Sequence, residues 1–219
     1  MELKAAIFDM DGTLIDSLMI WDVLWDEMGK NFCGGAKFRP EPADDKFVRT
    51  VPAKEAMEMI HARYGLGKDG EELLRVFNKV SAEFYAEKVQ LKPGVRAWLE
   101  YCKSRGVKMC IASATAPALL QLALDHCDLG KYFLKLFSCA DLGKGKEHPD
   151  VFLAAQAYLG ESLEDTWVFE DSCVAVETAV GAGMPTVAIY DRFNYGQDRM
   201  RQIATHYIAE GETLEKLMA

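Results

Sequence analysis

The sequence predicts an α/β protein, a doubly wound and mostly parallel sheet with an all-helical segment inserted after its first strand. Short apolar runs alternate with helix-period patterns from Val107 onward, as βαβ units require. The stretch from about Asp16 to Lys88 has helical spacing and no convincing strand. At 219 residues, half of them hydrophobic, the chain is long enough for one sizeable core plus an insert.

Taken in order, Leu3 to Phe8 is the first strand, an apolar run interrupted only by Lys4. Insert helices are expected over Leu18 to Met28, Ala53 to Tyr64 and Glu71 to Glu87, broken up by Pro40, Pro42 and Pro52. Leu91-Lys92-Pro93-Gly94 marks the return, so the core is read as residues 1–15 and 89–219 and the helical domain as 16–88. Strand and helix then alternate. Val107–Ile111 precedes Pro117–His126, Tyr132–Phe137 precedes Pro149–Leu159, Thr166–Phe169 precedes Val174–Ala182, and Thr186–Ile189 follows. Gly106 and the Gly181-Ala182-Gly183-Met184-Pro185 segment stop the helices before two of these strands. A last run at Tyr207-Ile208 and a helix from about Thr213 complete the sheet and its cover.

A formal net charge of −9, with scattered lysines and arginines, argues against a nucleic-acid surface and for work on small molecules. Six cysteines lie far apart without a C-x-x-C pair and read as free thiols in a reducing compartment. Met-Glu-Leu-Lys runs straight into a strand, and no apolar run is long enough for a bilayer, so the cytoplasm is expected.

Four strand ends carry the chemistry. Phe8-Asp9-Met10-Asp11-Gly12-Thr13-Leu14-Ile15-Asp16-Ser17 sets two carboxylates one residue apart at a sheet edge. If the chain turns at Gly12 both can face one pocket, one attacking and the other handling a proton; Asp and Gly are also common after strands for conformational reasons alone. Ala112-Ser113-Ala114-Thr115 offers a hydroxyl and consecutive amides before a helix, a place for phosphate oxygens or simply an N-cap. Lys144 and Lys146 lie on a loop ending at Pro149-Asp150, where a lysine can neutralise negative charge in a site or simply stand solvated. Glu170 and Asp171 end an apolar strand. They either complement the next helix dipole or, beside Asp9, hold a hard divalent ion, for which Mg²⁺ fits best.

The string D-x-D-G-T-L-x-D-S, followed in order by the serine turn, K-x-x-P-D and the acid pair, resembles the motif series of the haloacid dehalogenase-like superfamily. The resemblance spans nearly the whole chain and points to the helical-cap branch that includes phosphoglycolate phosphatase-like and β-phosphoglucomutase-like proteins. It implies an Mg²⁺-dependent phosphatase acting on a small phosphorylated metabolite through an aspartyl-phosphate. Asp9 would be the nucleophile and Asp11 the general acid and base. Ser113, Ala114 and Lys146 would grip the phosphoryl group, and Asp9, Asp11, Asp171 and Glu170 would hold the metal. Many relatives read K-P-x-P-D where this chain has Glu147, and Lys144 stands close to Lys146.

The nearest rival is a hexose phosphate mutase of the β-phosphoglucomutase type, in which Arg49 would hold a second phosphate. Trp21 stands where those relatives carry a histidine, which weighs against it. A rival of another class is a non-catalytic phospholigand-binding protein. No nucleic-acid or membrane partner is expected, and the protein is read as a monomer.

Overall fold

A computed structural model of the chain describes residues 3–49 and 51–218. Its elements run β1 (Ala5–Phe8), α1 (Ile20–Phe32), α2 (Pro42–Val48), α3 (Ala53–Tyr64), α4 (Gly70–Glu87), α5 (Val95–Ser104), β2 (Lys108–Ser113) and α6 (Pro117–His126). They continue with β3 (Lys135–Ser138), α7 (Cys139–Leu142), α8 (Asp150–Leu159), β4 (Thr166–Glu170), α9 (Cys173–Gly181), β5 (Thr186–Ile189), α10 (Gln197–Ile203) and β6 (His206–Ile208). The six strands form one sheet in the order β3-β2-β1-β4-β5-β6, every pair parallel. This is the doubly wound α/β architecture expected from the alternation of strands and helices.

Both sheet faces are buried, so the strands read as near-continuous apolar runs rather than alternating ones. Alternate side chains still divide between the faces. Ala5, Ile7, Cys110, Ala112 and Val168 pack under α8 and α9 against Phe152, Ala155 and Ala179. Phe8 and Phe169 point the other way and stack at 4.4 Å, with Trp98 of α5 at 5.8 Å from Phe169.

The chain divides into two compact units, Met1–Leu18 with Val89–Ala219, and Met19–Lys88. The second unit is helical and has its own core, in which Leu24, Trp25, Met28, Met57, Ile60 and Leu73 are buried together. Asp16, Ser17 and Leu18, read from sequence with the insert, group with the sheet. The Asp16 amide donates to the Gln90 carbonyl at 2.9 Å, and Ile15 bridges Leu91. The two linkers are thereby tied to one another at the sheet edge.

Several elements differ from the sequence reading. Helix α1 begins at Ile20 and runs beyond Met28 to Phe32, where Gly34 and Gly35 take positive φ. Pro42 does not merely break the insert but starts α2 at its first turn, where a missing N–H costs nothing. Tyr132 belongs to a single 3₁₀ turn rather than to β3, because its amide bonds back to the Leu129 carbonyl at 3.0 Å, while its hydroxyl donates to the Glu100 carboxylate. The segment after Thr213 is a 3₁₀ turn over Leu214–Met218 rather than an α-helix. Among the described residues all six cysteines are free, and no helix is long and apolar enough to cross a membrane.

Candidate active site

The strand order places β1 and β4 side by side at the centre of the sheet, where the winding direction reverses. Crevices beyond the carboxyl ends of strands at such a reversal are where α/β proteins bind ligands. Phe8 pairs with Phe169 in register, and the Asp9 amide donates to the Phe169 carbonyl at 2.9 Å. Asp9, Glu170 and Asp171 therefore emerge at one place. All three are buried, and each offers a carboxylate oxygen within 4.8 Å of the others.

Lys146 reaches into this cluster from a loop 137 residues away and donates to both Asp9 Oδ1 and Glu170 Oε1. Lys144 points elsewhere, pairing with Asp150 at 2.7 Å on the surface. Of the two lysines, Lys146 is the one that reaches the acid cluster. The other Glu170 oxygen accepts the amides of Asp171 and Ser172 at 2.9 and 3.0 Å, so this residue serves both the entrance to α9 and the acid cluster.

Asp11 sits across the turn from Asp9 and is held by two hydroxyls. Ser17 donates to its Oδ1 at 2.6 Å and Thr115 to its Oδ2 at 2.8 Å. Thr115 also ties in the β2 end, because its amide donates to Ser113 Oγ at 3.1 Å. Neither residue is the helix cap considered from sequence. That position belongs to Ala116, with Pro117 opening α6 and no side-chain cap bond. Ala114 is exposed in the turn between them. Arg49 lies in the helical unit at the end of α2, donating to Asp45 at 2.9 Å with its guanidinium over Trp21 at 5.6 Å.

Gly12 has φ +78°, and a Cβ there would overlap the Asp171 carboxylate. Glycine is required at this position both for the backbone conformation and for the close approach.

Burial pushes the Asp9 carboxyl up to about 8, with Lys146 opposing the shift and Glu170 and Asp11 adding to it. Asp171 is also raised well above the usual carboxylate range, by burial first and then by Glu170 and Asp9, while Lys92 and Thr13 pull it back. Lys146 loses solvation on burial, but Asp9 and Glu170 outweigh that and hold it charged, well above its ordinary value. The donor set is all oxygen, buried and rich in negative charge, which suits a hard divalent cation.

A pH dependence follows for the metal-free protein. Between the ordinary value of 3.8 and about 8, folded Asp9 keeps a proton that the unfolded chain has released. The folded state then binds more protons, so stability falls as pH rises through that window. Thermal melts in chelator from about pH 5 to about pH 8.5 should show a declining midpoint, and Asp9→Asn should flatten the decline. A midpoint that climbs with pH would contradict this electrostatic picture.

The sequence reading missed Thr13 and Asn194, which bond Asp171, and Lys92 and Asp191, which pair with one another beside them. Thr13 Oγ1 donates to Asp171 Oδ1 at 2.9 Å, and the Asn194 amide donates to Asp171 Oδ2. Only Thr13 carried a local signal, as part of the first motif.

The model for haloacid dehalogenase-like hydrolases matches residues 3–183. The chain belongs to this family. This haloacid dehalogenase-like hydrolase is 25% identical over 217 residues to the phosphorylated carbohydrates phosphatase of Thermotoga maritima, covering 98% of each chain. It is 29% identical over 189 residues to hexitol phosphatase B of Escherichia coli strain K12, covering 86% of this chain and 84% of that protein. Among solved structures, a Thermotoga maritima protein provisionally described as a β-phosphoglucomutase is similar with a TM-score of 0.83. That match has 25% identity and covers 99% of both chains.

Proposed function

We propose that this hydrolase releases phosphate from small phosphate monoesters, sugar phosphates foremost, by transferring the phosphoryl group to Asp9. The observation that carries the reading is the meeting of Asp9, Glu170, Asp171 and Lys146 at the sheet's reversal point. The phosphatase names of the Thermotoga maritima and Escherichia coli relatives support it.

In this reading an Asp9 oxygen attacks phosphorus as the bond to the leaving oxygen breaks. Asp11, oriented by Ser17 and Thr115, gives the leaving oxygen its proton. Asp11 then takes a proton from the water that attacks the aspartyl-phosphate, freeing phosphate and restoring Asp9. Ser113 and the Ala114 amide bind phosphoryl oxygens, and the Lys146 ammonium neutralises charge on the transferring group. Asp9, the Asp11 carbonyl, Asp171 and Glu170 would hold Mg²⁺, which when bound offsets the negative charge gathered around phosphorus.

The acids that frame Asp9 also argue against carbon–halogen cleavage, which needs a nucleophile but neither a general acid nor a metal. A phosphomutase is the second reading, for which Arg49 is the relevant residue. Its pairing with Asp45 and its position over Trp21 would have to yield for it to hold a second phosphate.

The test is phosphate release from a panel of small esters with Mg²⁺, using Asp9→Asn and chelator as controls. β-Glucose 1-phosphate is included with and without a bisphosphate primer. Release that vanishes with either control is the expected result. Primer-dependent isomerisation without free phosphate would assign the mutase, and binding without turnover of any ester would favour a phospholigand-binding protein.

A further inference from the structure

Both oxygens of the Asp171 carboxylate are engaged by donors from loops other than its own. Thr13, after β1, donates to Oδ1 at 2.9 Å, and Asn194, after β5, donates to Oδ2 and to the Asp171 carbonyl at 3.2 Å. One ammonium clips these two loops together. Lys92 Nζ donates to the carbonyl of Gly12, the residue before Thr13, at 2.5 Å. It also donates to Asp191 Oδ2 at 2.9 Å and to the Tyr190 carbonyl at 3.0 Å. Asp191 in turn fixes the segment that carries Asn194, accepting the Asn194 amide on its carbonyl at 3.1 Å and the Phe193 amide on Oδ1 at 2.9 Å.

The pair is well removed from solvent, the Lys92 side chain being 17% exposed and that of Asp191 3%. An ammonium has three donors, and here each has an acceptor. Lys92 thus has no hydrogen left for a phosphate and differs in this from Lys146, which lies against the reacting carboxylate. Two of its three acceptors, the Gly12 carbonyl and Asp191, lead by one short step each to the two donors on Asp171. A carboxylate bound to a cation must present its oxygens at a set angle, and partners that orient a metal ligand contribute roughly 10–100-fold to affinity.

We infer that Lys92 is a positioning residue that sets the Asp171 carboxylate for the divalent cation, acting through Thr13 on one side and Asp191 with Asn194 on the other. The inference rests on the reading above, in which Asp171 is a metal ligand. It assigns a function to the lysine in Leu91-Lys92-Pro93-Gly94, a segment that in sequence marks only the return of the chain to the sheet.

The test is calorimetric titration of Mg²⁺ into the full-length protein and into Lys92→Met, Asn194→Ala and the double variant Lys92→Met with Asp191→Asn. The double variant leaves no buried charge without its partner, so it keeps the measurement open where the single lysine variant fails to fold. The dissociation constant for Mg²⁺ is expected to rise about 10–100-fold in both lysine variants. The ester KM at saturating Mg²⁺ should stay within about two-fold of the wild type, since no substrate contact is removed. Asn194→Ala, which removes one arm, should weaken Mg²⁺ binding by less. Wild-type Mg²⁺ affinity in the folded double variant would overturn the inference and leave Lys92 as a counter-charge for Asp191 alone. A wild-type protein that binds Mg²⁺ but hydrolyses no ester would sink the phosphatase reading while the affinity comparison still decides this one. A wild-type protein that binds no Mg²⁺ would overturn the inference outright.

Discussion

Asp9→Asn should reduce phosphate release by about 10³-fold or more and leave the fold intact. In the proposed mechanism the Asp9 carboxylate makes the attack, and the amide that replaces it has nearly the same shape but is a poor nucleophile. The backbone anchor survives, because the Asp9 amide bonds to Phe169 whatever the side chain. Lys146 also keeps Glu170 as a partner. Burial already works against the charged form of Asp9, so a neutral side chain removes a cost, and the metal-free variant should melt no lower than wild type near pH 8. Steady-state release and melting curves on the same preparation read both quantities. Near-normal turnover would show that Asp9 is not the nucleophile.

Lys146→Met should be damaging in two ways at once. The ammonium lies between Asp9 and Glu170 with all three side chains almost wholly buried, at 11%, 8% and 1% exposure. Removing one partner of a buried ionic cluster costs about 3–5 kcal/mol, because the remaining charge has neither water nor a counter-ion. For a chain of this size that corresponds to a fall of roughly 6–20 °C in melting temperature in chelator. The neighbouring carboxylates hold Lys146 above its ordinary value of 10.5, so its contribution is fully present below that pH and fades only as pH rises beyond it. Added Mg²⁺ should restore part of the stability by replacing the lost positive charge. It should not restore turnover, which is expected to fall about 10²–10³-fold because the proposed mechanism loses its fixed cationic donor to the phosphoryl group. A Lys144→Met variant is the natural comparison, since that lysine pairs with an exposed aspartate, and exposed pairs contribute little. Equal losses in the two variants would remove Lys146 from its proposed role.

The candidate site was legible where its residues are local. Asp9, Asp11 and Gly12 fall within one turn, and the need for glycine follows from the backbone sign and the Asp171 carboxylate above it. Glu170 and Asp171 were legible because an apolar strand ending in two acids is unusual unless something offsets their charge. The groups that hold these residues were not. Thr115 looks like a cap until its hydroxyl is found on Asp11, and Asp191 and Asn194 look like ordinary loop residues until they are found beside Lys92 and Asp171. The helices α2 and α10 were missed because each has seven residues, too few for a helical period to stand out. Tyr132 was drawn into a strand by its apolar neighbours, although its hydroxyl pairs with Glu100 on α5.

By itself the sequence determined the alternation of strands and helices, the helical insert after β1 and the identity of the acids at the strand ends. Hydrophobic periodicity and turn chemistry are short-range properties, and a single chain displays them in order. Only the tertiary structure decided that β1 lies beside β4, that Lys146 rather than Lys144 reaches Asp9, and that Lys92 joins two loops around Asp171. Those outcomes depend on which strands pair and in what register. Pairing is settled by packing both faces of the sheet at once, and no local stretch of residues records that choice.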